Sequence, residues 1–312
     1  MPFPVLFGVN IDPTWHDPLL PTRLSQHSEQ LGFDLITVQD HPYQPAFFDT
    51  WTLITHLAAQ TSTVSFVPTV ANLPLRPPAM LAKAVASLDI LSSGRIQLGL
   101  GAGGFWEAIV AMGGPRRTPK EAVDALSEAI DVIRAMWSTE RAVRYTGEHY
   151  QLRGVHPGPA PTDQPGIWLG AYGPRMLKLL GEKADGWMPS HAYLPADQLP
   201  AALARIRTAA EAAGRSADDL RLIYNIGGII GSESATPFRG SVSQWTDQLV
   251  RLTADVGMNG YVFWPERDHR AQAEIFAQEV MPRVRSAVEW TNASGPGSPS
   301  PLGVSASTQR PG

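Results

Sequence analysis

The 312-residue sequence predicts an α/β fold, a (β/α)₈ TIM barrel with short insertions and a disordered C-terminal tail. Three observations carry this expectation. Short runs rich in Val, Ile, Leu and Phe alternate with longer amphipathic segments, the pattern of parallel βα units. Eight such units are counted between residues 3 and 285. Nothing interrupts them in the way that would divide the chain into the two halves of a dinucleotide-binding fold. One barrel domain over residues 1–290 is therefore expected, with a Ser/Pro/Gly tail over 291–312 that has too little apolar surface to offset its ordering entropy.

The first strand is expected at residues 3–10, with a helix ending near Gly32, and the second at 35–39, with a helix over 51–60. Strand three, 64–70, leads through Pro74, Pro77 and Pro78 into a helix over 79–91, stopped by Ser92-Ser93-Gly94. Strand four, 96–100, enters a glycine run, and a strong helix follows over 121–137. Residues 142–152, with Gly147 between two β-like runs, read as an inserted hairpin leading to strand five at 167–170. Helix five opens at Pro174; strand six is 186–189 and helix six 197–213. Strand seven at 220–226, helix seven at 242–256, strand eight at 261–264 and a last helix at 270–285 complete the set.

Composition narrows the function classes. The formal net charge is −4 with no basic cluster, which argues against a nucleic-acid groove or an anionic membrane surface as partner. Cysteine is absent, removing disulfides, thiolate catalysis and zinc–thiolate sites. The N-terminal residues lack a basic region followed by an apolar core, and no apolar run approaches membrane-spanning length, so a cytoplasmic protein is expected. The eight histidines are scattered singly, a poor pattern for a metal site, and none is expected.

In a barrel of this kind the loops after the strands build the active site, so polar residues just past strand ends are the candidates. Asn10 ends strand one. Asp40-His41 ends strand two, where an imidazole with a carboxylate nearby can act as an acid or base, although a turn Asp before His-Pro accounts for the pair equally well. Thr69, Val70 and Asn72 follow strand three. The segment 99–104 matches G-x-G-x-x-G, but Phe105, Trp106 and two prolines stand where a dinucleotide fold needs a helix. Gly101 and Gly103 read instead as backbone kept bare so that a planar ring can lie against it. Gly170-Ala171-Tyr172-Gly173 before Pro174 offers free N–H groups and a helix dipole to a phosphate, or is an ordinary βα loop. Phe47, Phe105, Trp106, Ser190 and His191 are candidate substrate-pocket residues.

The order of Gly32-Phe33-Asp34, Asp40-His41, Val67-Pro68-Thr69-Val70, Arg76-Pro77-Pro78-Ala79, residues 88–95, 98–103 and 169–174, and Ala184-Asp185-Gly186-Trp187 resembles the luciferase-like family of flavin-dependent monooxygenases and F420-dependent oxidoreductases. The resemblance runs from about Phe7 to Arg285. It implies reduced FMN or F420 at the barrel mouth, resting on a bulge after strand three that in many relatives contains a non-prolyl cis peptide; Thr69-Val70 occupies that place. It implies a phosphate held by residues 170–173 and a reactive centre contacted by His41. Several F420-dependent dehydrogenases carry a Glu just after the strand-four glycines, where this chain reaches only Glu107, the third candidate catalytic residue with His41 and Asp40.

The resemblance leaves three functions open: an FMN-dependent monooxygenase acting with oxygen on a small apolar or aromatic substrate, an F420-dependent oxidoreductase transferring hydride without oxygen, or a non-catalytic flavin-binding barrel. The first is the leading expectation. A separate flavin or F420 reductase and a homodimer are the partners implied.

Overall fold

A computed structural model describes residues 3–162 and 164–294. The elements run β1 (Leu6–Asn10), α1 (Leu20–Gln30), β2 (Leu35–Val38), α2 (Thr50–Ala59), β3 (Ser65–Pro68), β4 (Ala71–Asn72), α3 (Pro78–Ser92), β5 (Leu98–Gly101), α4 (Trp106–Ala111) and α5 (Pro119–Met136). They continue with β6 (Val143–Thr146), β7 (Gln151–Val155), β8 (Ile167–Leu169), α6 (Pro174–Lys183), β9 (Gly186–Trp187), α7 (Leu199–Ala212), β10 (Arg221–Gly228), α8 (Val242–Arg251), β11 (Gly260–Pro265), α9 (His269–Ile275) and α10 (Met281–Ser294).

The main sheet has the order β3-β2-β1-β11-β10-β9-β8-β5-β4, every pair parallel. The ends meet through a parallel bridge between Phe66 and Ile96, where Phe66 N–H donates to Arg95 O at 2.8 Å and Gln97 N–H to Phe66 O at 2.9 Å. Eight staves close a barrel, with β3 and β4 forming one stave broken by the bulge at 69–70. Only β6 and β7 stand outside, paired antiparallel as the expected hairpin.

Two layers of apolar side chains follow from strand alternation. Leu35, Val67, Trp168, Met188, Ile223 and Val262 point inward and fill the barrel's interior. The opposite faces of the same strands, including Ile36, Phe66, Leu169, Tyr224 and Phe263, pack against the helix ring. Trp168 shapes its neighbours: a Cβ on Gly186 would stand 2.5 Å from the Trp168 ring. At roughly 25 cal/mol per Å² of apolar surface removed from water, these layers are the main stabilising contribution.

Local signals set the helix boundaries. Capping boxes start α5 (Thr118 with Glu121) and α8 (Ser241 with Gln244). Ser93 adopts the left-handed conformation after α3, which ends where Ser92-Ser93-Gly94 predicts. Three features differ from the sequence expectation. α4 forms inside the segment read as loop, the segment 252–256 continues α8 as a π-helical turn, and α10 runs to Ser294 rather than ending near Arg285. The helix thus takes in residues 291–294 of the expected tail, and the rest, 295–312, lies outside the described residues. No helix among the described residues is long and apolar enough to cross a membrane.

Candidate active site

Above the apolar interior, the next inward positions carry polar groups. Thr37 Oγ1 donates to Asn10 Oδ1 at 3.1 Å, Asn10 Nδ2 to Asp12 at 2.9 Å, and Gln39 Nε2 to the same Asp12 oxygen at 2.6 Å. Asn225 donates to Pro189 O at 3.2 Å and accepts from Trp264 Nε1 at 3.3 Å. Asn10 was a candidate cofactor ligand; both ends of its buried amide are engaged by protein partners, and its carbonyl accepts from His269 Nε2 at 2.7 Å. It organises the floor of the mouth.

Asp40 and His41 leave β2 together but do different work. The Asp40 carboxylate, with no exposed side-chain surface, accepts Arg76 Nε at 2.6 Å, Arg76 Nη2 at 2.7 Å and the Asn72 N–H at 2.8 Å. Arg76 Nη2 also reaches Asp49 at 2.6 Å, the residue that caps α2. Burial alone would lower the Arg76 pKa, but the two carboxylates hold it above its ordinary value. The lone pairs of Asp40, an expected acid or base, are occupied by this fork of donors, and the carboxylate clamps the end of β2 to the bulge.

His41 is the group left free. Its Nδ1 lies 2.7 Å from the Tyr43 hydroxyl, its ring packs edge-on against Phe105 at 5.4 Å, and Nε2 has no hydrogen-bond partner among the described residues. Burial pushes its pKa below the ordinary 6.5, partly opposed by the Asp40 charge, so the imidazole is neutral at neutral pH. Burial, with Asp40 and Tyr193, pushes Tyr43 up to about 12. Tyr43 was not singled out in the sequence, where an aromatic residue after His-Pro carries no signal of its own.

The Thr69-Val70 peptide is cis, as the family resemblance implies. The Val70 side chain lies where a Cβ on Gly101 would stand, 2.6 Å from its Cγ2, and Gly170 is next to it at 3.4 Å. A bare Gly101 therefore admits the Val70 side chain, a packing reason for glycine at this position. Gly103 has φ +101°, and a Cβ there would meet Pro74 and the Trp106 ring at 2.8 and 2.9 Å. Trp106 thus closes on Gly103 and Pro74, while Asn72 presents a buried Oδ1 without a partner beside the bulge.

Across the mouth, residues 170–173 lead into α6. The N–H groups of Gly173, Arg175 and Met176 make no hydrogen bond among the described residues, and a Cβ on Gly173 would meet nothing within 4 Å. Trp187, fully buried, holds the loop from below by donating Nε1–H to Ala171 O at 2.9 Å. Tyr172 holds it from the side, accepting the Ser190 N–H at 3.1 Å. Next to Ser190, His191 places Nδ1 2.9 Å from the Tyr224 hydroxyl and packs edge-on against Phe238 at 4.9 Å.

Glu107 and Phe47 make other contacts. Glu107 sits in the first turn of α4 with its side chain 88% exposed and paired to Arg116 at 2.6 Å, so nothing places it as a catalytic acid at the reacting centre. Phe47 belongs to a bridge with Thr14 that joins the loops after β1 and β2. Phe105 does reach the site, packing on both His41 and Tyr43 while 57% exposed.

A closed parallel barrel with an imidazole, a loop of unbonded N–H groups and an aromatic rim at its strand ends has the layout of a barrel enzyme's active-site face. The family model described as Luciferase-like monooxygenase matches residues 22–236, and the chain belongs to this oxidoreductase family. An F420-dependent hydroxymycolic acid dehydrogenase of Mycobacterium tuberculosis is 32% identical, the match covering 86% of each chain. An F420-dependent glucose-6-phosphate dehydrogenase of Nakamurella multipartita is 30% identical over 70% of this chain and 66% of its own length. Among solved structures, an F420-dependent secondary alcohol dehydrogenase with an F420-acetone adduct superposes with a TM-score of 0.80 at 18% identity, covering 90% of this chain and 99% of that one.

Proposed function

We propose that the chain is an F420-dependent oxidoreductase that interconverts an alcohol and a carbonyl compound with an apolar or aromatic body. The observation that carries this is the neutral His41 imidazole, anchored at Nδ1 by Tyr43 and open at Nε2, beside the bulge to which Asp40 is clamped. The relatives at 30% and 32% identity support F420 over FMN, the opposite order to that drawn from sequence alone. F420, when bound, exchanges a hydride with substrate carbon.

The residues present fit such a cofactor. The unpaired N–H groups at 173–176, with open space where a Gly173 side chain would be, form a cradle for its phosphate at the positive end of α6. The orphaned Asn72 Oδ1 offers an acceptor beside the bulge. The chain's own contribution to chemistry is proton management. In oxidation the substrate hydroxyl gives its proton to His41 Nε2; in reduction His41 returns a proton to the carbonyl oxygen. Tyr43 serves both states, because its oxygen can accept from Nδ1–H and its proton can go to a bare Nδ1.

A sugar phosphate fits this mouth poorly, since Glu107 faces solvent and Phe105, Tyr172 and Tyr193 rim the opening. An FMN-dependent monooxygenase supplied by a separate reductase is the second reading, favoured by the same cradle, which suits the phosphate of either cofactor. A purely binding role leaves His41 unexplained. We also propose a homodimer, in which a second copy covers the exposed Met80, Ile90 and Leu91 of α3. The test of function is anaerobic mixing with F420 and 1-phenylethanol, following the cofactor's absorbance. Bleaching that His41→Ala slows supports the assignment; no bleaching with any alcohol, alongside oxygen-dependent turnover with reduced FMN, overturns it.

A further inference from the structure

The two imidazoles at the mouth, His41 and His191, each pair Nδ1 with a tyrosine hydroxyl, yet the two hydroxyls are not equivalent. Tyr43 has no second hydrogen-bond partner among the described residues, so its proton is free to follow the state of His41. Tyr224 is committed. Its hydroxyl donates to Leu194 O at 2.6 Å, and Leu194 is buried, with no other donor to that carbonyl among the described residues. A hydroxyl has one proton, so the Tyr224 oxygen can meet His191 Nδ1 at 2.9 Å only as an acceptor.

Reversing the arrangement would strip a buried carbonyl of its donor, which is the costlier choice. His191 is therefore held with the proton on Nδ1 and a lone pair on Nε2. That nitrogen has no partner among the described residues and is not among the buried polar atoms left unpaired, so it lies on the accessible edge of the ring. Burial, opposed in part by Asp197, lowers the His191 pKa and keeps the lone pair available at neutral pH.

The surroundings say what can approach. His191 packs edge-on against Phe238, and two residues on, Tyr193 packs edge-on against Tyr172 of the loop at 170–173, with ring centroids 5.6 Å apart. The Tyr172–Tyr193 contact thus joins the loop after β9, which carries His191, to the loop at 170–173. We propose that His191 is a specificity-determining residue, a hydrogen-bond acceptor of fixed polarity that selects substrates carrying a hydroxyl or N–H donor on an apolar or aromatic body, apart from the group oxidised or reduced. This rests on the mouth being the substrate site, but not on which cofactor binds there.

The test uses the full chain, ¹⁵N-labelled, with phenol and anisole as probes that share a ring and differ in having a donor. Long-range ¹H–¹⁵N spectra should show Nδ1 of His191 protonated and Nε2 bare. Phenol should move the Nε2 resonance and anisole should not, with phenol bound about three- to tenfold more tightly, the range for one neutral hydrogen bond. His191→Phe keeps a ring against Phe238 and should abolish that preference. Tyr224→Phe should release the tautomer in a chain that still folds. A protonated Nε2 in the wild type, or a phenol preference that is absent or survives His191→Phe, overturns the proposal. Failure to bind F420 would bear on the proposed function and leave these readouts intact.

Discussion

Replacing Arg76 by Ala should be among the most damaging single changes near the mouth. Arg76 supplies two of the three donors to the Asp40 carboxylate, at 2.6 and 2.7 Å, leaving only the Asn72 N–H at 2.8 Å. Asp40 has no exposed side-chain surface and Arg76 only 17%, so solvent cannot compensate, and breaking such a pair costs about 3–5 kcal/mol. The bond to Asp49 adds little, because that carboxylate is 44% exposed. The loss should appear in urea unfolding as a lower midpoint at unchanged slope, and as a fall in Tm of roughly 5–8 °C for a barrel of this size. Arg76→Lys should recover part of it, since an ammonium cannot reproduce the fork. A cycle with Asp40→Asn should give a coupling of about 2–3 kcal/mol. A loss below about 1 kcal/mol for Arg76→Ala would refute the clamp.

Other outcomes follow from the same geometry. His41→Ala should keep the fold and cofactor affinity and lower turnover by about 10²–10⁴-fold, the range for a lost acid or base, measured in single-turnover mixing. Because burial depresses the His41 pKa below 6.5, alcohol oxidation, which needs the neutral ring, should hold steady as pH falls to 6.5 and decline only below it; the pH profile of kcat/KM checks this. The unfolded chain takes that proton more readily, so stability is also lost as pH drops through the same window. Gly173→Val should leave the Tm of the cofactor-free protein unchanged, since its Cβ meets no atom, yet weaken F420 binding by about 10²-fold or more through lost charge-assisted contacts, as read by fluorescence titration. Gly101→Ala, by contrast, puts a methyl 2.6 Å from Val70 and should cost about 1–3 kcal/mol in urea unfolding.

What was legible in the sequence depended on range. Strand runs and prolines act locally, so the eight βα units and the hairpin could be read residue by residue, and the loop at 170–173 was visible from its small residues ahead of Pro174. α4 was missed because six residues make fewer than two helical turns, too short a window for periodicity to show. The clamp on Asp40 was not legible because its partner, Arg76, is 36 positions away and nothing local joins them. At Gly101 the close neighbour is Val70, which sits in the bulge between β3 and β4, a contact that nothing local in the sequence announces. Tyr43, which adapts to the state of His41, and Tyr224, which fixes the proton of His191, look like ordinary aromatic residues until the hydroxyl partners are seen.

The most direct test of the central claim is equilibrium titration of the purified protein with F420 and, separately, with FMN, following cofactor fluorescence. Saturable binding of F420 at micromolar or lower concentration, at least tenfold tighter than FMN and weakened by Gly173→Val, is the predicted result. Tight binding of FMN with none of F420 would contradict it.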